Sequence, residues 1–266
     1  MKKSSFLVLV LLFVLVFISG GCSLLEDVVN KAIQPKEIKE LRRLAQQGDA
    51  KAQYTLASKY EIGEPSNYLY KSKYQADKWY RLAAEQGYPP AQTTLGDKYF
   101  SRYIATDSNQ KAMKWYRLAA EQGYAEAQDK LGLMYDEGLS TMEDDKEAMY
   151  WYSLAIEQKY PITLVRFGYK FYKDKDLPAA MNYYLMAAEQ GNIDGMLGAA
   201  RVALDYRLFI KAYMWYKVAD HLDKYKFRNI RESLSALENY RMDSHEIQRA
   251  KELALQCYDS NYKDCN

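Results

Sequence analysis

A twelve-residue segment recurs along this chain at a nearly constant step, and that periodicity constrains the fold more than any other feature. Ala112-Met113-Lys114-Trp115-Tyr116-Arg117-Leu118-Ala119-Ala120-Glu121-Gln122-Gly123 repeats, almost letter for letter, the run from Ala76 to Gly87 thirty-six residues earlier. Thirty-six residues later, Ala148 to Lys159 keeps Trp151, Tyr152, Leu154 and Ala155 in register. Looser copies follow at Ala180 to Gly191 and Ala212 to Asp223, each thirty-two residues on. A period in this range belongs to helical arrays, in which each unit stacks on its neighbours because none buries its apolar face alone.

Each period offers two helices. The first reads Ala52-Gln53-x-x-Leu56-Ala57-x-x-Tyr60, then Ala91-Gln92-x-x-Leu95-Gly96-x-x-Tyr99, then Ala127-Gln128-x-x-Leu131-Gly132-x-x-Tyr135. The fourth copy keeps Phe167-Gly168 and Phe171, and the fifth keeps Ala199-Ala200 and Ala203. In the second helix Ala76, Trp79, Tyr80 and Ala83 fall at i, i+3, i+4 and i+7, one apolar stripe. The small residues Ala57, Gly96, Gly132 and Gly168 are expected to let helix backbones approach closely. Gly87, Gly123 and Gly191 are natural left-handed stops for the second helix. Lys159 replaces that glycine in the third copy and predicts a strained or altered turn. The fold expected is all-α: an α/α superhelical solenoid of helix-pair repeats with C-terminal capping helices.

These residues resemble the Sel-one-like repeat, a relative of the tetratricopeptide repeat. The pattern A-E-A-Q-x-x-L-G-x-M-Y-x-x-G is nearly complete from Ala125 to Gly138, and W-Y-x-x-A-A-E-Q-G occurs in two intact copies. The resemblance places a half repeat and five repeats over 36–225. Residues 226–266 then read as capping helices. Ile230, Leu234 and Leu237 mark the first of them. Met242, Asp243, Glu246 and Ile247 open the second with a capping box and a hydrophobic staple. That last helix is expected to run through Ala250, Leu253 and Leu255 to Cys257.

The first residues read as an address. Lys2 and Lys3 precede thirteen apolar residues, Phe6 to Ile18, then Ser19-Gly20-Gly21 and Cys22. Thirteen helical residues span about 20 Å, short of a bilayer core of about 30 Å, so an export signal over 1–21 is expected. A cysteine after small residues resembles the lipobox of bacterial lipoproteins. By that resemblance, Cys22 carries the lipid, 22–35 is a lipidated tether, and Ser23 goes with the outer rather than the inner membrane. Ordinary cleavage and an uncleaved anchor are the alternatives. In an oxidising compartment the two other cysteines, Cys257 and Cys265, are expected to pair, with a chain-entropy contribution of about 2.5 kcal/mol. Without Lys2 and Lys3, basic and acidic residues balance, so bulk charge gives no reason to expect nucleic acid or an anionic membrane face as partner.

No reaction is legible. Trp79, Trp115, Trp151 and Trp215 share one repeat position with Tyr183 in the gap, which reads as a structural ladder. His221 and His245 lie apart from any other ligand at metal spacing. Ser108–Lys111 and Ser260–Lys263 have the S-x-x-K spacing of β-lactam-binding enzymes without their companion motifs. Ser108 reads as a helix cap. No cofactor, metal or small-molecule substrate is expected.

Two features point to binding. From the second-helix aromatic to the next first-helix anchor the spacing is sixteen every time, as from Trp79 to Leu95. From first to second helix it varies: nineteen for Tyr60 to Trp79, sixteen for the next two repeats, twelve for the last two. All insertions thus fall in the loops inside repeats, along one expected edge, and the longest loop carries Tyr68, Tyr70 and Tyr74. Second, positions one before and three after each anchor are i, i+4 neighbours. They supply Lys59, Lys98, Lys130, Arg166 and Lys170 with no acids, a basic stripe suited to an acidic segment of another protein. The function expected is a non-catalytic, lipid-anchored interaction scaffold facing the periplasm in the bacterial envelope. Lipoproteins with such repeats resemble immunity partners of type VI secretion effectors, and an envelope assembly adaptor is equally open. The competing class is a hydrolase acting on cell-wall or β-lactam substrates.

Overall fold

The computed structural model describes residues 36–63, 71–100, 106–139, 143–223, 228–263 and 265. The expected signal segment and tether, with Cys22, and the tyrosines Tyr68 and Tyr70 lie outside the described residues. The described residues form thirteen α-helices, and the chain divides into two units, 1–119 and 120–266.

The first unit holds α1 (Lys36–Gln46), α2 (Ala50–Ile62), α3 (Lys73–Glu85), α4 (Pro89–Tyr99) and all but the last residue of α5 (Thr106–Ala120). Local chemistry sets the helix starts. Asp49 accepts the amide of Ala52 at 2.7 Å, Ser72 accepts that of Gln75 at 3.3 Å, and two prolines open α4, where missing N–H groups cost nothing. Helices α1 to α4 pack each on the next. Leu56, Ala57, Ala76, Tyr80, Ala83 and Leu95 are buried between them, as the stripes require. Ser108 lies inside the first turn of α5 rather than capping it, because that helix begins at Thr106.

The second unit continues with α6 (Ala125–Asp136), α7 (Asp145–Glu157), α8 (Pro161–Lys173), α9 (Leu177–Ala188), α10 (Ile193–Asp205), α11 (Phe209–Leu222), α12 (Arg228–Tyr240) and α13 (Ser244–Asp259). From α6 to α12, described neighbours pack mostly in sequence order, α8 also touches α10, and both α12 and α13 pack on α11. One buried cluster runs through α9 to α13, and Ile230, Leu234 and Leu237 join it from α12. The capping box at α13 is complete: Asp243 accepts the Glu246 amide at 2.8 Å, and Glu246 accepts the Asp243 amide at 3.0 Å. Cys257 and Cys265 form a disulfide. Leu255 does not share the buried stripe of α13. Ala250, Ala254 and Cys257, at i, i+4 and i+7, form that face and leave Leu255 65% exposed.

The connections after second helices are short and even, at 86–88, 121–124, 158–160 and 189–192. Those inside repeats vary, at 63–72, 100–105, 137–144, 174–176 and 206–208. Gly87, Gly123 and Gly191 have φ of 86°, 82° and 72°, and Lys159 adopts the same left-handed backbone at φ 56°. Its amide and that of Tyr160 make the bonds that Gly87 and Tyr88 make two copies earlier, so the turn is retained, with strain of about 1 kcal/mol.

The small residues on the first helices serve a purpose the sequence reading misassigned. What lies over Gly96, Gly132 and Gly168 is a tyrosine ring from the following helix: Tyr116, Tyr152 and Tyr184. A methyl on Gly132 would stand 2.8 Å from the Tyr152 ring, and one on Gly168 would stand 2.7 Å from Tyr184. In the first three repeats the tyrosine after the ladder tryptophan is accordingly the deeper residue, whereas in the fifth Trp215 is buried and Tyr216 only partly. Tyr80, Tyr116, Tyr152 and Tyr184 are buried, whereas Trp79 and Trp115 are half-exposed, Trp151 and Trp215 being buried.

The glutamines of the signature are structural as well. Gln53, Gln92 and Gln128 are buried and donate to the carbonyls of Ala45, Ala84 and Ala120 in the last turn of the preceding helix, at 3.0, 3.2 and 3.2 Å. These bonds give the helix-end carbonyls a second donor beside the turn amides of Gly48, Gly87 and Gly123. Gln86 closes onto Gln53 at 2.6 Å and Gln158 onto Gln128 at 2.8 Å. In the fourth and fifth repeats Leu164 and Met196 take the place of the first-helix glutamine, each fully buried.

Candidate partner-binding groove

The expected basic stripe is in large part neutralised within the fold. Lys98 lies 2.8 Å from Glu61 Oε1 and 3.0 Å from Asp77 Oδ1, with its ammonium 5.2 Å from the Tyr80 ring centre. Asp77 Oδ1 is buried and accepts no aligned hydrogen bond, so the ammonium is what compensates its charge. Burial alone would lift the Glu61 pKa, but hydrogen bonds from Lys98 and the Tyr80 hydroxyl outweigh it and hold the group below its ordinary value. Burial would likewise depress Lys98, and its two carboxylates raise it instead. The Tyr80 hydroxyl is pushed up, first by burial and then by its 2.8 Å bond to Glu61.

The second unit has its own version. Arg166 reaches Asp129 at 3.2 and 3.4 Å, the buried Thr163 hydroxyl donates to the same carboxylate at 2.8 Å, and the guanidinium lies 5.6 Å from the Tyr152 ring centre. Burial would lower the Arg166 pKa, and the Asp129 charge more than reverses that. Lys130 pairs with Glu126 at 3.7 Å, and Lys59 also has an interaction partner. The stripe positions contain no acids. The acids come from neighbouring positions and helices, which spacing along one helix face does not show.

Lys170 is exposed. With Arg166 it lines a groove of about 560 Å³ between the end of α6, the start of α7 and the outer face of α8. Met149 and Tyr169 stand in its walls at 46% and 50% exposure, beside Asp136 and Asp145, over a floor that includes Tyr152 and Phe167. The groove adjoins the 137–144 connection, one of the variable inner loops. Exposed aromatic and methionine side chains next to both charge signs form a surface suited to a polypeptide partner. Sequence reasoning missed Met149, Tyr169 and Asp136. The available signal was that Met149 and Tyr169 are large apolar residues lying off the buried stripes of their helices. In the first unit, Tyr74 and Ile62 flank the longest inner loop and are 77% and 72% exposed.

The Lys111 ammonium lies against the Tyr99 ring, and the Ser260 hydroxyl donates to the Cys257 carbonyl at 2.9 Å. No group of three His, Cys, Asp or Glu among the described residues could hold a metal ion. His221 packs edge-on to Tyr258 at 4.2 Å. No described helix is long and apolar enough to cross a membrane.

Helix pairs, tyrosine-on-glycine packing and glutamine latches define a class, the short helical repeats. The Sel1 repeat family matches residues 50–88, 89–124, 125–160 and 167–192, together more than half of the chain. The chain belongs to the Sel1 repeat family. A similar solved structure is a protective antigen present in uropathogenic Escherichia coli strains and displaying an SLR fold, 21% identical with a TM-score of 0.54. The alignment covers 88% of this chain and 57% of that protein's length. A Sel1 repeat protein from Oxalobacter formigenes is 34% identical over 47% of this chain and 91% of its own, with a TM-score of 0.42. No curated protein matches the chain.

Proposed function

We propose that this Sel1 repeat chain is a non-catalytic scaffold that captures another protein through the groove between α6, α7 and α8. The observation that carries the reading is the groove itself. Its exposed Met149, Tyr169 and Lys170 adjoin a connection whose length changes from repeat to repeat, while the framework around it repeats. Lys59, Lys98, Lys130 and Arg166 support that framework, and Tyr74 offers a second contact beside the longest inner loop. The scaffold is lipid-anchored through Cys22 and faces the periplasm, more fittingly from the outer membrane. There it serves as an envelope assembly adaptor or as an immunity protein for a type VI secretion effector.

Crosslinking in the native envelope, followed by identification of the captured protein, tests this. Tyr169→Ala with Lys170→Glu is expected to abolish capture while far-ultraviolet circular dichroism stays unchanged. Capture that persists in the double variant would remove the groove from the proposal. Replacing Cys22 by alanine is expected to move the protein from membrane to soluble fractions, and retention on the membrane would contradict the anchor. A captured enzyme whose toxicity is relieved on co-expression selects the immunity role over the adaptor.

A further inference from the structure

A second groove, of about 720 Å³, lies where the turn between α10 and α11 meets the end of α12. Leu204, Phe209 and Leu237 contribute apolar surface to it, and Arg207, Arg241 and Tyr240 carry its polar and aromatic rim. None of its lining residues is acidic. That sets it apart from the stripe, where Lys98, Lys130 and Arg166 each face a carboxylate. Acids close by in sequence are engaged elsewhere. Glu238 accepts the Tyr213 hydroxyl at 2.6 Å, and Asp205 accepts that of Tyr172.

Three details give this groove the character of a docking surface. The Arg241 guanidinium lies 5.8 Å from the centre of the Phe209 ring, so positive charge stands beside the apolar floor. Arg207 holds φ at 57°, a conformation that glycine adopts with less strain; Gly138, at the exit of α6, has φ 60°. The bonds from Arg207 N to Leu204 O and from Leu208 N to Ala203 O, at 2.9 and 2.8 Å, tie that turn down. Tyr240 is 81% exposed, a large aromatic surface with few rotatable bonds. Each arginine follows a helix C-terminus, where the helix dipole favours a cation. That accounts for a base at each exit and leaves the apolar floor and the uncovered tyrosine unexplained.

We infer that this groove docks an acidic segment of a partner protein, with an apolar side chain against Leu204, Phe209 and Leu237 and flanking carboxylates on Arg207 and Arg241. Guanidinium groups pair with carboxylates through two parallel hydrogen bonds and are weakly hydrated, so they suit such contacts. A small inorganic anion would gain nothing from the floor, and a basic segment would meet two like charges. The inference rests on the scaffold reading and adds the chemistry of the partner and a second place where it is held.

The test uses the purified full chain and two fluorescein-labelled hexapeptides, Glu-Glu-Leu-Phe-Glu-Glu and Lys-Lys-Leu-Phe-Lys-Lys, read by fluorescence anisotropy. Saturable binding of the acidic peptide alone is expected, weakening roughly tenfold or more in Arg207→Glu with Arg241→Glu, and also in Tyr240→Ala. All three side chains are exposed, so helicity should be retained, and Lys217→Glu with Lys251→Glu should bind as the parent does. No saturable binding, equal binding of both peptides, or binding indifferent to the arginine reversal would overturn the inference. Arginine-dependent binding to phosphatidylglycerol vesicles in place of the acidic peptide would overturn it in favour of a lipid surface. In the native envelope, capture that survives the arginine reversal but not Tyr169→Ala with Lys170→Glu overturns this inference alone. Capture indifferent to the latter pair counts against the groove of the scaffold reading instead.

Discussion

Lys98 and Arg166 occupy the same face of their first helices, and each meets a carboxylate beside a tyrosine ring. Their surroundings nevertheless give them different weight. Around Lys98 the carboxylate side chains keep much of their surface in water, 47% exposed at Glu61 and 40% at Asp77, although Asp77 Oδ1 itself is buried. Around Arg166 the carboxylate is Asp129, 5% exposed, held also by the Thr163 hydroxyl. An ion pair in water exchanges one solvation for another and contributes little. A buried carboxylate deprived of its cation is left without compensation. Two bases that look alike in sequence therefore differ in what their removal does.

The largest effect should come from Arg166→Met, which leaves Asp129 buried with Thr163 as its remaining partner. We expect about 3 kcal/mol of destabilisation in urea denaturation, and a loss below about 1 kcal/mol would mean that the pair is solvated after all. Next comes the packing beneath the two tyrosines. Gly132→Ala places a methyl 2.8 Å from the Tyr152 ring and should cost about 2 kcal/mol. Ala57, at the matching place, shares a buried cluster with Tyr80. There Ala57→Gly should cost only about 1 kcal/mol, from helix propensity. Equal costs for both substitutions would show that the two tyrosines are seated alike.

Lys98→Met should cost about 0.5–1 kcal/mol, discounted for exposure, and the difference should shrink in about 1 M salt while that of Arg166→Met persists. A salt-independent Lys98 effect would contradict the contrast. The smallest effect is in acid. The folded pKa of Glu61 lies below its unfolded value, so its contribution is present above about pH 4.5 and is lost as pH falls through the depressed folded value. Lys98 is raised, so its contribution holds below pH 10.5 and is lost only as pH rises through the raised value. A urea series from pH 6 to 3 should show a steeper fall for the parent than for Lys98→Met, and parallel curves would exclude the linkage.

Much of the architecture was legible because the apolar stripes, the glycine stops and the capping box at Asp243 and Glu246 depend on neighbours within a few residues. The turn at Lys159 was legible for the same reason. The roles of Gln53 and Gln128 were not, because their partners lie a helix away. Gly132 was seen as a small residue, but the ring above it comes from α7. The candidate site was legible only in outline. Lys170 and the variable loops were in the sequence, whereas the groove that joins Lys170 to Met149 and Tyr169 exists only once α6, α7 and α8 pack.

The period and its stripes, by themselves, determined that this protein is an array of helix pairs, since hydrophobic periodicity and local caps act over a few residues of chain. Which charges remain available to a partner was decided by tertiary structure. Asp129, Glu61 and Asp77 approach the stripe from other helices, and electrostatic compensation depends on distance in space rather than on spacing along the chain. The repeat that announces the fold thus also displays bases, Lys98, Lys130 and Arg166, that the folded chain pairs with its own carboxylates.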